Sequence, residues 1–179
     1  MLLYSEPNIP ARFNNGVGVP NGPHSKFLQD FGPYLLKKYN PKAVVVFSAH
    51  WETSNQIEVM NNDVNKLYYD YYGFPKKMYE ITWNSKGSSE VASKVANLLN
   101  NHKIPAKTIS NARGLDHGVF VPFKLMFPDP FEIPLVEVSI DAKLDPQHHI
   151  EIGKAIQSLR YILSYLFVFS HFTIETKEF

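Results

Sequence analysis

The sequence predicts an α/β fold, a three-layer α/β/α sandwich around one mixed β-sheet in a single domain. One observation is the stretch Ala43–Thr53, AVVVFSAHWET, which begins with apolar residues that do not alternate with polar ones. Such a run is typical of a strand that helices cover on both faces. Another is the order of the predicted elements, in which strands and helices alternate. The 179 residues, without internal repeats or a break in composition, suffice for one domain with a sizeable core.

The elements before residue 76 are predicted as follows. Residues 1–23 are rich in proline and glycine and are predicted to be a loop. Residues 25–38 place apolar side chains at helical spacing, interrupted by a Gly-Pro pair. Residues 57–65 are predicted to be a strand with its outgoing loop. Residues 68–75, YYDYYGFP, cluster aromatic side chains around an acid, which favours core or lid packing over direct contact with a substrate.

The remaining elements complete the alternation of strands and helices. In chain order they are a short extended piece (77–83), an amphipathic helix (88–100), a strand (106–110), an apolar helix (121–127), a strand (133–140), a helix (146–159) and a strand within the apolar segment 161–169. The helix at 88–100 is the clearest of these, because one stripe of it is apolar and Ser88 and Ser89 stand at its start as candidate N-caps.

Composition excludes several classes of function. The formal net charge is +1, with 18 Lys and Arg against 17 Asp and Glu, so no excess charge indicates nucleic acid or an anionic membrane as a partner. The absence of cysteine excludes disulfides, thiolate metal sites and cysteine nucleophiles. Any metal must therefore be held by His, Asp, Glu or water. Residues 1–4 are too short to be the apolar part of a signal peptide, and no apolar run approaches the length of a membrane span, so we expect a cytoplasmic protein.

His50 is the first candidate functional residue. It follows the apolar part of the Ala43–Thr53 stretch, where the sequence changes to Ser-Ala-His-Trp-Glu-Thr. In open α/β sheets, ligands bind just beyond the carboxyl ends of the strands, which is where we expect His50 to lie. A neutral imidazole at that position can bind a metal or move a proton. The alternative is a partly buried histidine that hydrogen-bonds a backbone carbonyl.

His117 is the second candidate. Asp116 and His117 stand between two glycines, ahead of the helix predicted at 121–127. The positive end of a helix dipole disfavours a charged imidazole, which suits a neutral base or acceptor. The alternative is that Asp116 caps the helix and His117 packs. By contrast, His148 and His149 are adjacent on one helix and point about 100° apart, so they cannot easily share a metal; we expect His149 to be structural and His148 to face solvent.

Five segments occur in the order and spacing of the class III extradiol ring-cleavage dioxygenases. They are SAHWET, DYYGFPKKMYE, RGLDHGVFVPFKLMFP, IPLVEVSID and HHIEIGKAIQSLR. From about residue 26 to residue 160 the chain resembles the 4,5-DOPA extradiol branch of that family. The resemblance implies a non-haem Fe(II) or Zn(II) enzyme that opens the ring of a catechol beside its hydroxyls with molecular oxygen. It also implies that His50 is a metal ligand and that His117 lines the site as an acid/base group or a substrate contact.

The sequence departs from the family pattern at both ends. Asn15 stands about where the family has its first ligand histidine, and the nearby His24 does not match that motif. An amide oxygen is a poor replacement for imidazole at a ferrous site. After the last matched segment, which ends at about residue 160, the family continues into a Ser-Gly-x-x-x-His loop. His171 lies near the expected histidine but lacks the Ser-Gly and comes a few residues early. We therefore expect residues 1–179 to form one catalytic domain whose C-terminal part is missing.

These departures leave other functions open. The chain could be a catalytically impaired or inactive remnant of the family, retained as a binding or regulatory protein. It could also keep the metal and catalyse a different reaction. A sheet that lacks its last strands exposes an edge and an apolar face. We therefore expect marginal stability and self-association through the apolar segment 161–169.

Overall fold

The computed structural model describes residues 2–3, 22–110, 113–162 and 165–170. The elements of these residues, in chain order, are β1 (Leu2–Leu3), α1 (Pro23–Tyr39), β2 (Ala43–Thr53), β3 (Ile57–Met60), β4 (Val64–Asn65), the 3₁₀ helix η1 (Lys76–Glu80), β5 (Ser85–Lys86), α2 (Ser89–Asn101), β6 (Ala106–Ile109), α3 (His117–Met126), β7 (Leu135–Asp141), α4 (Pro146–Ile162) and β8 (Tyr165–Ser170). Among them, no helix is both long and apolar enough to cross a membrane.

One mixed sheet organises these elements, as the sequence predicts. Its strand order is β1-β8-β2-β7-β3-β6. The strands β1, β8, β2 and β7 run parallel to one another, whereas β3 pairs with β7 in the antiparallel direction and with β6 in parallel. The short strands β4 and β5 form a separate antiparallel ribbon. The carboxyl ends of β2 and β7 therefore meet at one edge of the sheet.

Helices cover both faces of this sheet, which confirms the three layers. Successive side chains of a strand point to opposite faces. Val45 and Phe47 of β2 pack in one apolar cluster with α2 and α4, and Val44 and Val46 pack in the other with α1 and α3. All four side chains are buried. This two-sided burial explains why the strand begins without alternating polar residues.

Helix α1 runs without a break through Gly32 and Pro33, where the sequence predicts an interruption. Gly32 is buried against the end of α3, and a Cβ atom at this position would overlap the backbone carbonyl oxygen of Met126. The glycine therefore allows two helices to pack backbone against backbone, which outweighs its low helix propensity.

Gly32→Ala is expected to destabilise the protein by about 1–3 kcal/mol, because the new methyl group must displace backbone atoms of α3. Gly153→Ala in α4 is the matched control, since no atom lies within 4 Å of a Cβ there. That change is expected to stabilise the helix by roughly 0.5–1 kcal/mol. Urea unfolding of the two variants measures both effects, and equal stabilities would contradict the close contact.

Two further expectations about local structure are wrong. Residues 77–83, predicted as an extended piece, mostly belong to η1, whose 3₁₀ turns are short enough to escape an analysis of periodicity. The helix predicted at 121–127 begins at His117 instead. Gly118, which the sequence predicts to be a loop residue, lies in the first turn of α3.

The apolar segment 161–169 contributes the end of α4 and most of β8. Its strand lies inside the sheet, where β8 pairs with β2 on one side and with β1 on the other. The segment is therefore not an unpaired edge among the described residues, and the expected self-association stays a prediction. The loop predicted for residues 1–23, with Asn15, and the expectation for His171 lie largely outside the described residues.

Candidate functional site

His50 lies in an irregular part of β2. The pairing of β2 with β7 shifts between Phe47 and Glu52, so that the residues between them are out of register with β7. The sequence predicts that the strand ends before His50, but the strand continues to Thr53. Such bulges redirect side chains and are frequent beside active sites. His50 and Trp51 owe their positions at the edge of the sheet to this irregularity.

The two candidate histidines lie side by side. The ring centroids of His50 and His117 are 4.2 Å apart. His117 is the first residue of α3, and Gly118 follows it. A Cβ atom on Gly118 would overlap the imidazole of His50. The glycine is therefore required for the close approach of strand and helix, and the structure brings together both residues that the sequence selected.

Asp70 completes the group, although the sequence analysis gave it no role. Its Oδ1 atom accepts hydrogen bonds from the backbone N–H of His117, at 2.9 Å, and from Nδ1 of the same residue, at 2.7 Å. Burial alone would raise the pKa of Asp70, but the two hydrogen bonds from His117 hold it below its ordinary value. Asp70 is therefore a carboxylate at neutral pH.

Aromatic side chains fix the segment that carries Asp70. The hydroxyl of Tyr69 donates to the carbonyl of Ile81 at 2.5 Å, and that of Tyr71 donates to the carbonyl of Met78. Burial raises the pKa of Tyr71 to about 12, so its hydroxyl keeps its proton and remains a donor. The expected packing role holds for Tyr69 and Tyr71, whereas Tyr68 and Tyr72 are exposed, and the packing places Asp70 beside His117.

The group His50, Asp70 and His117 has the chemistry of a metal site. Each residue offers one ligand atom, and these atoms lie within 4.8 Å of one another. Two imidazoles and a carboxylate suit non-haem iron, and the same donors bind zinc. Nε2 of His117 is buried and has no hydrogen-bond partner within the described part of the chain. His50, with these two donors beside it, therefore fits as one ligand of a divalent metal.

The surroundings of His50 favour the form that can bind a metal. Burial, reinforced by the neighbouring His117, lowers the pKa of His50 below its ordinary value of 6.5. The imidazole is therefore neutral at pH 7. Because a protonated histidine cannot bind a metal, this shift keeps His50 available as a ligand to lower pH.

A buried polar cluster joins β2 to the start of α3. The carboxylate of Asp116 accepts a hydrogen bond from the hydroxyl of Ser48 at 2.6 Å and another from Nη2 of Arg113 at 2.8 Å. The backbone N–H of Asp116 donates to Oε2 of Glu137 on β7 at 3.2 Å. Asp116 occupies the N-cap position of α3, but its side chain makes no capping hydrogen bond. Its carboxylate ties the strand that carries His50 to the helix that carries His117.

Arg113 lies on the solvent side of this cluster. Its guanidinium lies over the rings of Trp51, at 4.8 Å, and Tyr68, at 5.0 Å. The two aromatic faces and the bond to Asp116 hold the arginine in one position. The segments on either side of the two histidines are thus fixed relative to each other.

Glu137 is a buried carboxylic acid. Burial, followed by the neighbouring Asp116, raises the pKa of Glu137 well above its ordinary value of 4.5. The folded protein therefore keeps this proton to a higher pH than the unfolded chain does. Stability from this group is complete at low pH and falls as the pH rises above about 4.5.

Glu137→Gln is expected to become more stable, relative to wild type, as the pH rises from about 4.5 to neutrality. Glutamine cannot ionise, and its amide keeps one acceptor and one donor for the neighbours of Glu137. Glu80→Gln is the control, because Glu80 is exposed. Melting temperatures across this pH range measure the difference, and a difference that does not change with pH would show that Glu137 is ionised.

The other histidines singled out by the sequence lie elsewhere. Both ring nitrogens of His149 bond backbone groups, Nδ1 with the carbonyl of Asp145 and Nε2 with the N–H of Asp141. This is the structural role expected. His148 is half-buried, with Nε2 3.4 Å from a carboxylate oxygen of Asp141, so it does not simply face solvent. His24 lies in the first turn of α1 and is not part of the His50 group.

The chain is similar to known proteins over most of its length. Residues 18–170 match the family described as "Catalytic LigB subunit of aromatic ring-opening dioxygenase". The chain is 51% identical over 158 residues to a "4,5-DOPA dioxygenase extradiol-like protein" of Schizosaccharomyces pombe, covering 88% of this chain and 52% of that protein. It is 36% identical over 162 residues to the "4,5-DOPA dioxygenase extradiol" of Beta vulgaris, covering 87% and 59%.

The chain is also similar to a solved structure. The fold matches the crystal structure of an uncharacterized protein from Escherichia coli K12 with a TM-score of 0.64 and 29% sequence identity, covering 82% of this chain and 52% of that one. The chain thus spans about half the length of the curated relatives and the solved structure it matches.

Proposed function

Because the chain belongs to the family of the catalytic LigB subunit of aromatic ring-opening dioxygenases, we propose that it is an extradiol dioxygenase that opens the ring of a catechol, DOPA-like substrate with molecular oxygen. The observation that carries the proposal is the cluster of His50, Asp70 and His117 at one edge of the sheet. The relatives named for 4,5-DOPA and extradiol chemistry suggest the substrate class and the position of ring opening.

His50 is the proposed metal ligand. It is neutral at pH 7 and lies within reach of two further donors. When bound, the metal, Fe(II) or Zn(II), would supply the positive charge that holds the deprotonated oxygens of a catechol. Asp70 and His117 lie close enough to contribute electrostatically to the same ion.

His117 is the proposed acid/base group. Its Nε2 atom is buried next to His50 and unused by the described residues, so it can accept a proton from a catechol hydroxyl. The ring of Tyr71 meets that of His117 edge-on, with centroids 5.6 Å apart. Such aromatic surroundings limit the access of water to the ring of His117.

The alternative is a catalytically impaired or inactive remnant, retained as a binding or regulatory protein. The observation that favours it is the ligand set. Of the ligands that the family resemblance implies, His50 is the one found among the described residues, and Asn15 stands about where another would be. The cytoplasmic location and self-association through residues 161–169 stay part of our proposal. Cell fractionation and the light-scattering mass of the purified chain test them.

Oxygen uptake by the purified chain loaded with Fe(II) tests the proposed function. We expect metal-dependent uptake with DOPA and none with tyrosine, which lacks the second hydroxyl needed to chelate a metal. The rate is expected to be low, because the described residues hold only part of the ligand set implied by the resemblance. Bound metal without oxygen uptake would favour the remnant, and absence of both would reject a metal enzyme.

A further inference from the structure

We propose that Asp70 is a positioning residue that fixes the tautomer of His117 and leaves Nε2 as the nitrogen available to the reacting molecule. The inference rests on the proposed role of His117 as an acid/base group. It assigns to Asp70 a task different from metal binding, although the carboxylate lies in the same cluster. The proposal follows from three features of the contacts between these two residues.

The first feature is the identity of the donors. A carboxylate oxygen can only accept hydrogen bonds, so the nitrogen 2.7 Å from Oδ1 of Asp70 must carry a proton. That nitrogen is Nδ1 of His117. A neutral imidazole has one ring proton, so Nε2 then carries the lone pair. The contact with Asp70 thus decides which nitrogen of His117 is basic.

The second feature is the restraint on the ring. The same Oδ1 atom also accepts the backbone N–H of His117 at 2.9 Å. One carboxylate oxygen therefore holds both the backbone and the side chain of His117, which leaves the imidazole little freedom to rotate. The position also suits a negative charge, because the amino end of α3 is the positive end of its dipole.

The third feature is the environment of the remaining nitrogen. Nε2 of His117 is buried and lacks a hydrogen-bond partner among the described residues. A histidine with a purely structural role normally uses both nitrogens, as the half-buried His149 does with two backbone groups. At His117 one nitrogen is held by a carboxylate and the other points to no described partner. A carboxylate on one nitrogen and a free second nitrogen are the arrangement of a histidine that presents the second nitrogen to a metal or to a reacting molecule, and the proposed function assigns it the reacting molecule.

Nitrogen-15 NMR of the histidine rings in the metal-free full chain tests the tautomer directly. The His117 signal is assigned by its absence in His117→Ala. We expect wild type to show the Nδ1–H tautomer. Asp70→Asn is expected to shift the population towards Nε2–H, because an amide can donate to Nδ1. Asp30→Asn, the same change at an exposed position on α1, should alter nothing. An Nε2–H tautomer in wild type, or an unchanged signal in Asp70→Asn, would overturn the proposal.

Metal content and rate separate positioning from ligation. Asp70→Asn is expected to keep the wild-type metal content and to lower the rate of ring opening by no more than the loss in His117→Ala, roughly 10²–10⁴-fold. The double variant should be no slower than His117→Ala, since Asp70 acts through His117. Loss of metal from Asp70→Asn would make Asp70 a ligand and overturn the proposal. If wild type opens no ring, the proposed function fails, and the NMR result alone still decides the role of Asp70.

Discussion

His50→Ala is expected to abolish metal binding. His50 lies in the irregular segment of β2, with its ring against Gly118. Among the described histidines, His117 is the one that lies near it. The lowered pKa of His50 keeps it in the neutral, metal-binding form. A site with few protein ligands cannot lose an imidazole without losing most of its affinity. The metal content of the variant, measured by elemental analysis after dialysis against Fe(II) or Zn(II), should therefore fall from stoichiometric to background.

His102→Ala is the matched control for this experiment. His102 is exposed at the end of α2, where its Nδ1 lies 2.9 Å from the carbonyl of Leu98. Its removal should leave metal content unchanged and also measures any adventitious binding by surface histidines. Circular dichroism checks that both variants fold. If His50→Ala retained wild-type metal while His102→Ala did too, the metal would have to be bound elsewhere, and His50 would be a packed histidine.

Much of the fold can be predicted from the sequence because burial leaves a direct pattern. The first residues of β2 are apolar on both faces of the strand because helices cover both faces. The sequence of α2 shows the one apolar stripe that is buried and the N-cap residue. Ser88 accepts the backbone N–H of Val91, as its place before that helix predicts. His50 and His117 could be selected because the sequence changes between apolar and polar residues beside each of them, although β2 continues past His50 and α3 already begins at His117.

The rest of the site depends on contacts between distant residues. Asp70 meets His117 across 47 positions of the chain, and the aromatic residues around it predict packing but do not identify its partner. Gly118 has the appearance of a loop glycine, yet its role is to admit the ring of His50. Gly32 has a similar role between α1 and α3. Glycine occurs where a backbone closely approaches another segment and also in turns, and the fold is needed to tell which of the two applies.

The buried cluster around Asp116 shows how the two histidines are kept together. Ser48 and Arg113 bind its carboxylate, and Glu137 accepts its backbone N–H, so three segments of the chain meet at one residue. Ser48, Asp116 and Glu137 are fully buried, and the side chain of Arg113 is 17% exposed. Buried polar groups of this kind are costly unless they are satisfied. The cost is consistent with a cluster whose task is to fix the geometry of the neighbouring site.

His117→Ala is expected to leave metal content near wild type and to lower the rate of ring opening by roughly 10²–10⁴-fold, the usual contribution of an acid/base group. The reason is the division of roles within the cluster. His50 binds the metal, whereas His117 is tied through Nδ1 to Asp70 and offers Nε2 to the substrate. Elemental analysis and oxygen uptake with DOPA are measured on the same preparation. His148→Ala, a change to a half-buried histidine outside the cluster, should affect neither.

Free imidazole provides a sharper version of the same test. His117→Ala removes a buried ring beside His50 and leaves space of the size and shape of imidazole. If the lost group is a proton acceptor, added imidazole should restore part of the rate in this variant without changing its metal content. The same addition to wild type corrects for any inhibition by imidazole bound to the metal. Loss of metal together with activity in His117→Ala would show instead that His117 is a ligand, since its removal would then weaken the binding of the ion itself.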